Sequence, residues 1–154
     1  MSALRPARPE EVEAIAALTE RAYAHYVPIL GRRPAPMDDD FAARVAAGQA
    51  YVLERNGAIV ALAVIEDHGD HLWIDNLAVD PALNGQGVGQ VLLAFCEAEA
   101  RRRGYRKLGL LTNERMTRNR AIYARYGFTE TEHREVNGFR RVYMHKLLED
   151  RLGN

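Results

Sequence analysis

Three glycines at alternate positions, Gly85, Gly87 and Gly89, stand between a strand-like run that ends at Val79 and a run from Val88 to Leu93 with the spacing of an amphipathic helix. A glycine has no Cβ, so backbone at such a junction can approach a ligand closely. The helix that follows points unpaired N–H groups and its positive dipole end at the same place. The chemistry this permits is anion binding, with a pyrophosphate as the natural occupant, and Asn84, Gln86, Val88 and Gln90 complete the segment around it. Spacing removes two common phosphate loops. A P-loop ends in Gly-Lys followed by Ser or Thr, which the chain lacks. The dinucleotide pattern G-x-G-x-x-G fails as well, because the sixth position is Gln90 when counted from Gly85 and Leu92 when counted from Gly87.

A second segment, Asn119-Arg120-Ala121-Ile122-Tyr123-Ala124-Arg125-Tyr126-Gly127-Phe128, places an Asn and a Tyr four residues apart on a helix that Gly-Phe closes. The two segments together resemble the GNAT superfamily of N-acetyltransferases. Asn84-Gly85-Gln86-Gly87-Val88-Gly89 is similar to its acetyl-CoA motif, Q/R-x-x-G-x-G/A after a hydrophobic strand and a proline, and the later segment is similar to its Asn-Tyr-Gly-Phe helix. Asn84 departs from the family's Gln or Arg, which leaves backbone N–H groups to carry most of the phosphate binding.

The resemblance implies direct transfer of an acetyl group from acetyl-CoA to a primary amine of a small molecule or peptide, through a tetrahedral intermediate and with no metal. By the same resemblance, Leu77, Ala78 and Val79 pair with the pantetheine arm. Asn84, Gly85, Gln86, Gly87, Val88, Gly89 and Gln90 hold the pyrophosphate, and Asn119 and Arg125 contribute from the later helix. Tyr123 is the candidate general acid for the departing sulfur. With a phenol pKa near 10 and a thiol near 8.5, that proton moves uphill by only about 2 kcal/mol.

An alkylamine is neutral only about once in 2,500 molecules at pH 7, a deficit of roughly 4 to 5 kcal/mol, so a base is also needed. Asp75, three residues before Ala78, is the obvious carboxylate, acting through water, while Asn76 faces the other way and joins the acceptor-binding candidates. The remaining acceptor candidates lie where the superfamily varies: Tyr23, Tyr26, Arg32, Arg33 and Met37. Cys96 sits on an apolar helix face and reads as packing. His68 and His71 read as exposed turn residues. A non-catalytic acyl-CoA-binding or sensing domain is the alternative, and retention of Tyr123 favours the enzyme.

Elements that must position these groups are legible from periodicity and turn chemistry. A first short strand spans Leu4 to Ala7, followed by a helix from Pro9 that Pro28 stops or bends, a shaped loop over Gly31 to Met37, and a helix capped by Asp38 to Asp40. Strands from Ala50 to Arg55 and Ala58 to Glu66 meet at Asn56-Gly57, and a third, His71 to Val79, delivers the chain to the glycine loop. After the loop helix, Lys107 to Leu111 is the parallel partner strand. Strands from Thr129 to Val136 and Phe139 to Leu147 then meet at Asn137-Gly138. The fold class is α/β mixed: a central, mostly antiparallel sheet with a splayed parallel strand pair and flanking helices, in one acetyltransferase domain over residues 1–154.

Composition is consistent with that reading. Lys plus Arg and Asp plus Glu both number 21 in 154 residues, so no global charge draws the chain to nucleic acid or an anionic membrane. A single cysteine rules out an intrachain disulfide framework, and no apolar run is long enough for a membrane span. The expected location is the cytoplasm, and the resemblance allows a homodimer.

Overall fold

The computed structural model describes residues 3–149. Seven strands among them are hydrogen-bonded in the order β1-β2-β3-β4-β5-β7-β6, where β1 is Arg5–Pro6, β2 Ala50–Arg55, β3 Ala58–Asp67, β4 Leu72–Val79, β5 Lys107–Asn113, β6 Thr129–Val136 and β7 Phe139–Leu147. The pairs β1–β2, β2–β3, β5–β7 and β6–β7 are antiparallel. Residues Leu72–Ile74 of β4 pair in parallel with Leu108–Leu110 of β5. The helices are α1 Val12–Tyr23, α2 Tyr26–Leu30, α3 Phe41–Ala46, α4 Val88–Arg102 and α5 Thr117–Arg125.

Two compact units are distinguished. Among the described residues, the first comprises 3–65 together with Asp75–Phe95, and the second comprises Glu66–Ile74 together with 96–149. In the first unit, Ala61–Ile65 of β3 are buried in succession, as expected of a strand covered on both faces. A 3-10 turn over Pro9–Glu11 leads into α1 and is capped reciprocally: the Arg8 N–H donates to Glu11 Oε1 at 2.8 Å and the Glu11 N–H to the Arg8 carbonyl at 2.9 Å. Arg5 Nη1 and Nη2 donate to the same carboxylate at 2.9 and 2.7 Å, holding it down at about pKa 2 and tying the helix start to β1.

Pro28 acts differently from the expected helix stop. Helix α1 ends earlier, at Tyr23, and Pro28 lies inside the short α2. Position explains this, because the N–H that proline lacks has no carbonyl partner in a first helical turn. The shaped loop after α2 contains a 3-10 turn over Ala35–Asp38. Asp40 then caps α3, its Oδ1 accepting from Ala43 N–H at 3.1 Å. The β2–β3 turn has positive φ at both Asn56 and Gly57, the geometry that suits the right-handed strand twist.

In the second unit, β4, β7 and the turn before β4 carry an aromatic cluster. His68 stacks on Trp73 with ring centroids 5.2 Å apart, His71 meets His145 edge-on at 5.8 Å, and Trp73 lies 6.3 Å from Tyr143. His68 and His71 lie in the turn before β4, His68 exposed at the edge of this ring cluster and His71 half-buried within it. Gly109 makes room for it, since a Cβ there would lie 3.0–3.1 Å from His71, Trp73 and His145. Gly109→Ala should lower stability by about 1–3 kcal/mol through overpacking, read as a fall in Tm, while leaving ligand binding by the glycine loop intact.

Candidate functional site

The glycine loop belongs wholly to the first unit and is pinned at its base. Asp80 N–H donates to the Val60 carbonyl at 2.9 Å, its carboxylate accepts from Ala82 N–H at 3.0 Å, and Arg21 of α1 reaches the same carboxylate at 3.3 Å. A 3-10 turn over Pro81–Leu83 follows, and Gln86 N–H donates to the Leu83 carbonyl. The Asp-Pro pair carried this capping signal in the sequence, although Asp80 was not singled out there.

Beyond the turn, Gly85 and Gly87 adopt φ of +83° and +79°, a region that other L residues enter only with strain. Gly89 is different. It lies in the first turn of α4 with ordinary helical backbone, and a Cβ there would meet nothing within 4 Å among the described residues. Neither conformation nor internal packing requires glycine at a position where Ala would favour the helix. A ligand resting on the backbone would require it. The Val91 N–H closes on the Gly87 carbonyl at 3.3 Å, so the amides of Val88, Gly89 and Gln90 form the turn whose donors an α-helix leaves without carbonyl partners. Asn84, Gln86 and Gln90 are exposed along this stretch, while Val88 is buried and anchors it. These residues fit a polyanionic group such as a pyrophosphate.

Strand β4 alternates strictly between buried and half-buried positions, which puts Asn76 and Ala78 on one face and Asp75, Leu77 and Val79 on the other. Asp75 accepts from Arg44 Nη2 at 2.8 Å, and the same guanidinium donates to Asp39 at 2.9 Å and to Gln49 at 3.0 Å. Nothing in the spacing of the sequence marked Arg44 as a neighbour of Asp75, 31 residues away. On the opposite face Asn76 is 3% exposed. The Tyr23 hydroxyl donates to its Oδ1 at 2.8 Å, with the Leu77 carbonyl 3.2 Å away as a second acceptor. Asn76 Nδ2 is buried and has no hydrogen-bond partner among the described residues, a condition that costs about 1–3 kcal/mol.

The other acceptor candidates of the first unit are distributed unevenly. Tyr23, Tyr26 and Met37 are buried, with the two tyrosine rings 6.3 Å apart. Arg32 is exposed. Arg33 is held by Glu20 and by Asp38, its Nε donating to Asp38 at 3.0 Å, so that its guanidinium braces the loop between α1 and α3.

In the second unit, Tyr123 is half-buried on α5 with its ring edge-on to Phe128, centroids 6.0 Å apart. Its carbonyl accepts from the N–H groups of Tyr126 and Phe128, which fixes the helix end. Asn119 is half-buried one turn earlier, and Arg125 is exposed. The turn into α5 is set by Asn113, whose Oδ1 accepts from Arg115 N–H at 2.9 Å, and by buried Thr112 against Met116. Cys96 is fully buried, and burial pushes its thiol up to about pKa 12, so it offers no thiolate nucleophile near neutral pH.

Comparison with known proteins places this arrangement. Residues 13–128 match the model of the Acetyltransferase (GNAT) family, an interval that includes the glycine loop, β4 and all of α5. The [Ribosomal protein bS18]-alanine N-acetyltransferase of Escherichia coli K12 is 33% identical over 86 residues, which cover 54% of this chain and 58% of that protein. The chain thus spans a little over half the length of the curated relatives it matches. Among solved structures, PaiA N-acetyltransferase from Thermoplasma acidophilum in complex with coenzyme A superimposes with a TM-score of 0.79 at 12% identity, covering 94% of this chain and 97% of that one. The E. coli ribosomal-protein-S18-alanine N-acetyltransferase superimposes with a TM-score of 0.74 at 22% identity, covering 96% and 94%. These two likenesses are of fold, the mixed sheet with one parallel pair flanked by helices. With the family match extending over most of its length, the chain belongs to the GNAT acetyltransferase family.

Proposed function

We propose that this single-domain protein is a cytoplasmic N-acetyltransferase that moves the acetyl group of acetyl-CoA directly to a primary amine of a small molecule or peptide. The observation that carries the reading is Gly89, a helical glycine that neither conformation nor packing demands, directly after two left-handed glycines in a family member. In this reading the backbone amides of Val88, Gly89 and Gln90 bind the pyrophosphate of acetyl-CoA, with Gly85 and Gly87 shaping the approach. Asn84, Gln86, Asn119 and Arg125 add side-chain contacts, and Leu77, Ala78 and Val79 offer backbone groups to the pantetheine amides.

The reaction joins the amine nitrogen to the thioester carbonyl carbon and then breaks the carbon–sulfur bond of the tetrahedral intermediate. One proton leaves the amine and one is gained by the departing thiolate. Asp75 takes the first through water, its carboxylate held in place by Arg44. Tyr123 supplies the second. Tyr23, Tyr26, Arg32, Arg33, Met37 and Asn76 shape acceptor binding. Because the curated relatives act on the alanine of a ribosomal protein, alanine-terminated peptides are the first acceptors to test.

Release of CoA thiol from acetyl-CoA in the presence of such peptides and of alkylamines tests the proposal directly. Amine-dependent release supports it, and release that no amine stimulates counts against it. Asp75→Asn should lower kcat/KM by about 10–100-fold and flatten the acidic limb of the pH–rate profile, because an amide accepts no proton in this range. An unaltered acidic limb would remove Asp75 from the mechanism.

A further inference from the structure

We infer that the Asn76 side-chain amide is a preformed hydrogen-bond donor for a carbonyl oxygen of the bound reactants. The identity of those reactants rests on the acetyltransferase reading above; the donor itself rests on the geometry of β4 and Tyr23.

Asn76 lies on the face of β4 shared with Leu72, Ile74 and Ala78, all buried and apolar. An aliphatic side chain would fill that position at no polar cost, so packing does not explain an amide there. Its two polar ends have different fates. Oδ1 receives the Tyr23 hydroxyl at 2.8 Å, a bond between residues 53 apart in the chain that orients the amide. Nδ2 is then turned away from Tyr23 with two hydrogens and, among the described residues, no acceptor. Buried donors in folded proteins are nearly always paired, and a fully buried exception calls for a partner from outside the chain.

The other buried unpartnered donor among the described residues is Arg101 Nε, and it differs in kind. Its guanidinium already donates from Nη1 to the Glu149 carbonyl at 2.6 Å and lies 3.8 Å from Glu97, and its side chain is a quarter exposed. Asn76 has no such compensation.

An amide N–H needs an acceptor atom, which excludes a bare alkylammonium, a group with donors only. The reactants of acyl transfer offer sp² oxygens from two sources: the amide arm or thioester of the acetyl donor, and the carbonyl beside the amine of an amino-acyl acceptor. Both present the same chemistry to Nδ2. The amide thus selects for carbonyl-bearing partners and penalises those that leave it unpaired.

Asn76→Leu removes the donor and keeps the volume. Three quantities are compared with the wild type: Tm, acetyl-CoA affinity by calorimetry, and KM and kcat for an alanine peptide beside an alkyl diamine. The expected result is a Tm equal to or above that of the wild type, with a tenfold to hundredfold loss in one binding parameter. A loss in acetyl-CoA affinity assigns the carbonyl to the donor. A rise in KM for the peptide and not the diamine assigns it to the acceptor. Unchanged acetyl-CoA affinity together with unchanged KM overturns the inference, and so does a large fall in Tm with binding intact, which would make Asn76 a packing residue. Tyr23→Phe provides an independent check, since it frees Oδ1 and should weaken the same parameter several-fold; no change there also counts against the donor. Failure of the wild type to bind CoA would sink the acetyltransferase reading instead, before any variant is compared.

Discussion

Tyr123→Phe should lower kcat by about 10²–10⁴-fold while leaving affinity for acetyl-CoA and Tm close to those of the wild type. The size follows from the ordinary contribution of a placed general acid. A thiolate leaving group needs a proton, and a phenol donates it uphill by only about 2 kcal/mol, a gap that one oriented dipole can close. Selectivity for kcat follows from the packing of the ring. The contact of Tyr123 with Phe128 uses the ring edge and face, which phenylalanine retains, and the hydrogen bonds that close α5 use the Tyr123 carbonyl, which the substitution does not touch. A variant that turned over at the wild-type rate would transfer the acid role to water or another residue. One that lost coenzyme affinity instead would make the hydroxyl a binding group.

Gly89→Leu should separate ligand binding from stability in the opposite sense. The Cβ of a leucine there meets no described neighbour within 4 Å and sits on ordinary helical backbone, and helix propensity favours leucine over glycine by somewhat under 1 kcal/mol. Tm should therefore hold or rise. Affinity for CoA should fall by about 10² or more, because the side chain keeps the pyrophosphate from one or two charge-assisted hydrogen bonds of about 1.5–3 kcal/mol each. At Gly87, with φ of +79°, any L residue also strains the backbone, so stability and binding would fall together and could not be told apart. Gly89 is the informative position for this reason. Wild-type CoA affinity in the variant would show that the loop does not carry the pyrophosphate.

What could be read ahead of the structure divides along sequence separation. Asn56-Gly57 and Asn137-Gly138 specify their turns through two positive φ angles in neighbouring residues, and the alternation of β4 that sends Asp75 and Asn76 to opposite faces is a period of two within eight residues. The mixed sheet and the family were likewise legible, because turn chemistry and the two motifs are local. Contacts made by folding were not. The pairing of Arg44 with Asp75 and of Tyr23 with Asn76 joins residues 31 and 53 apart, and neither partner's type announces the other. Pro28 shows a subtler limit: proline restricts a helix according to its distance from the helix start, and that start moved when α1 ended at Tyr23. His68 and His71 lie in the turn where they were expected and His68 is exposed, but the half-burial of His71 among the rings was not legible, because it depends on Gly109, 38 residues further along the chain.

The central claim is that the glycine loop serves an acyl transfer to nitrogen and not ligand storage alone. Incubation of the purified protein with acetyl-CoA and a mixed library of peptides and amines, followed by mass spectrometry, tests it most directly. The account predicts that a subset of the library gains one acetyl group on an amine nitrogen, with CoA thiol released in equal amount, and that both products form about 10²–10⁴-fold more slowly with Tyr123→Phe. Tight binding of acetyl-CoA with no acetylated product anywhere in the library would contradict it and leave the chain a family member that holds the donor without using it.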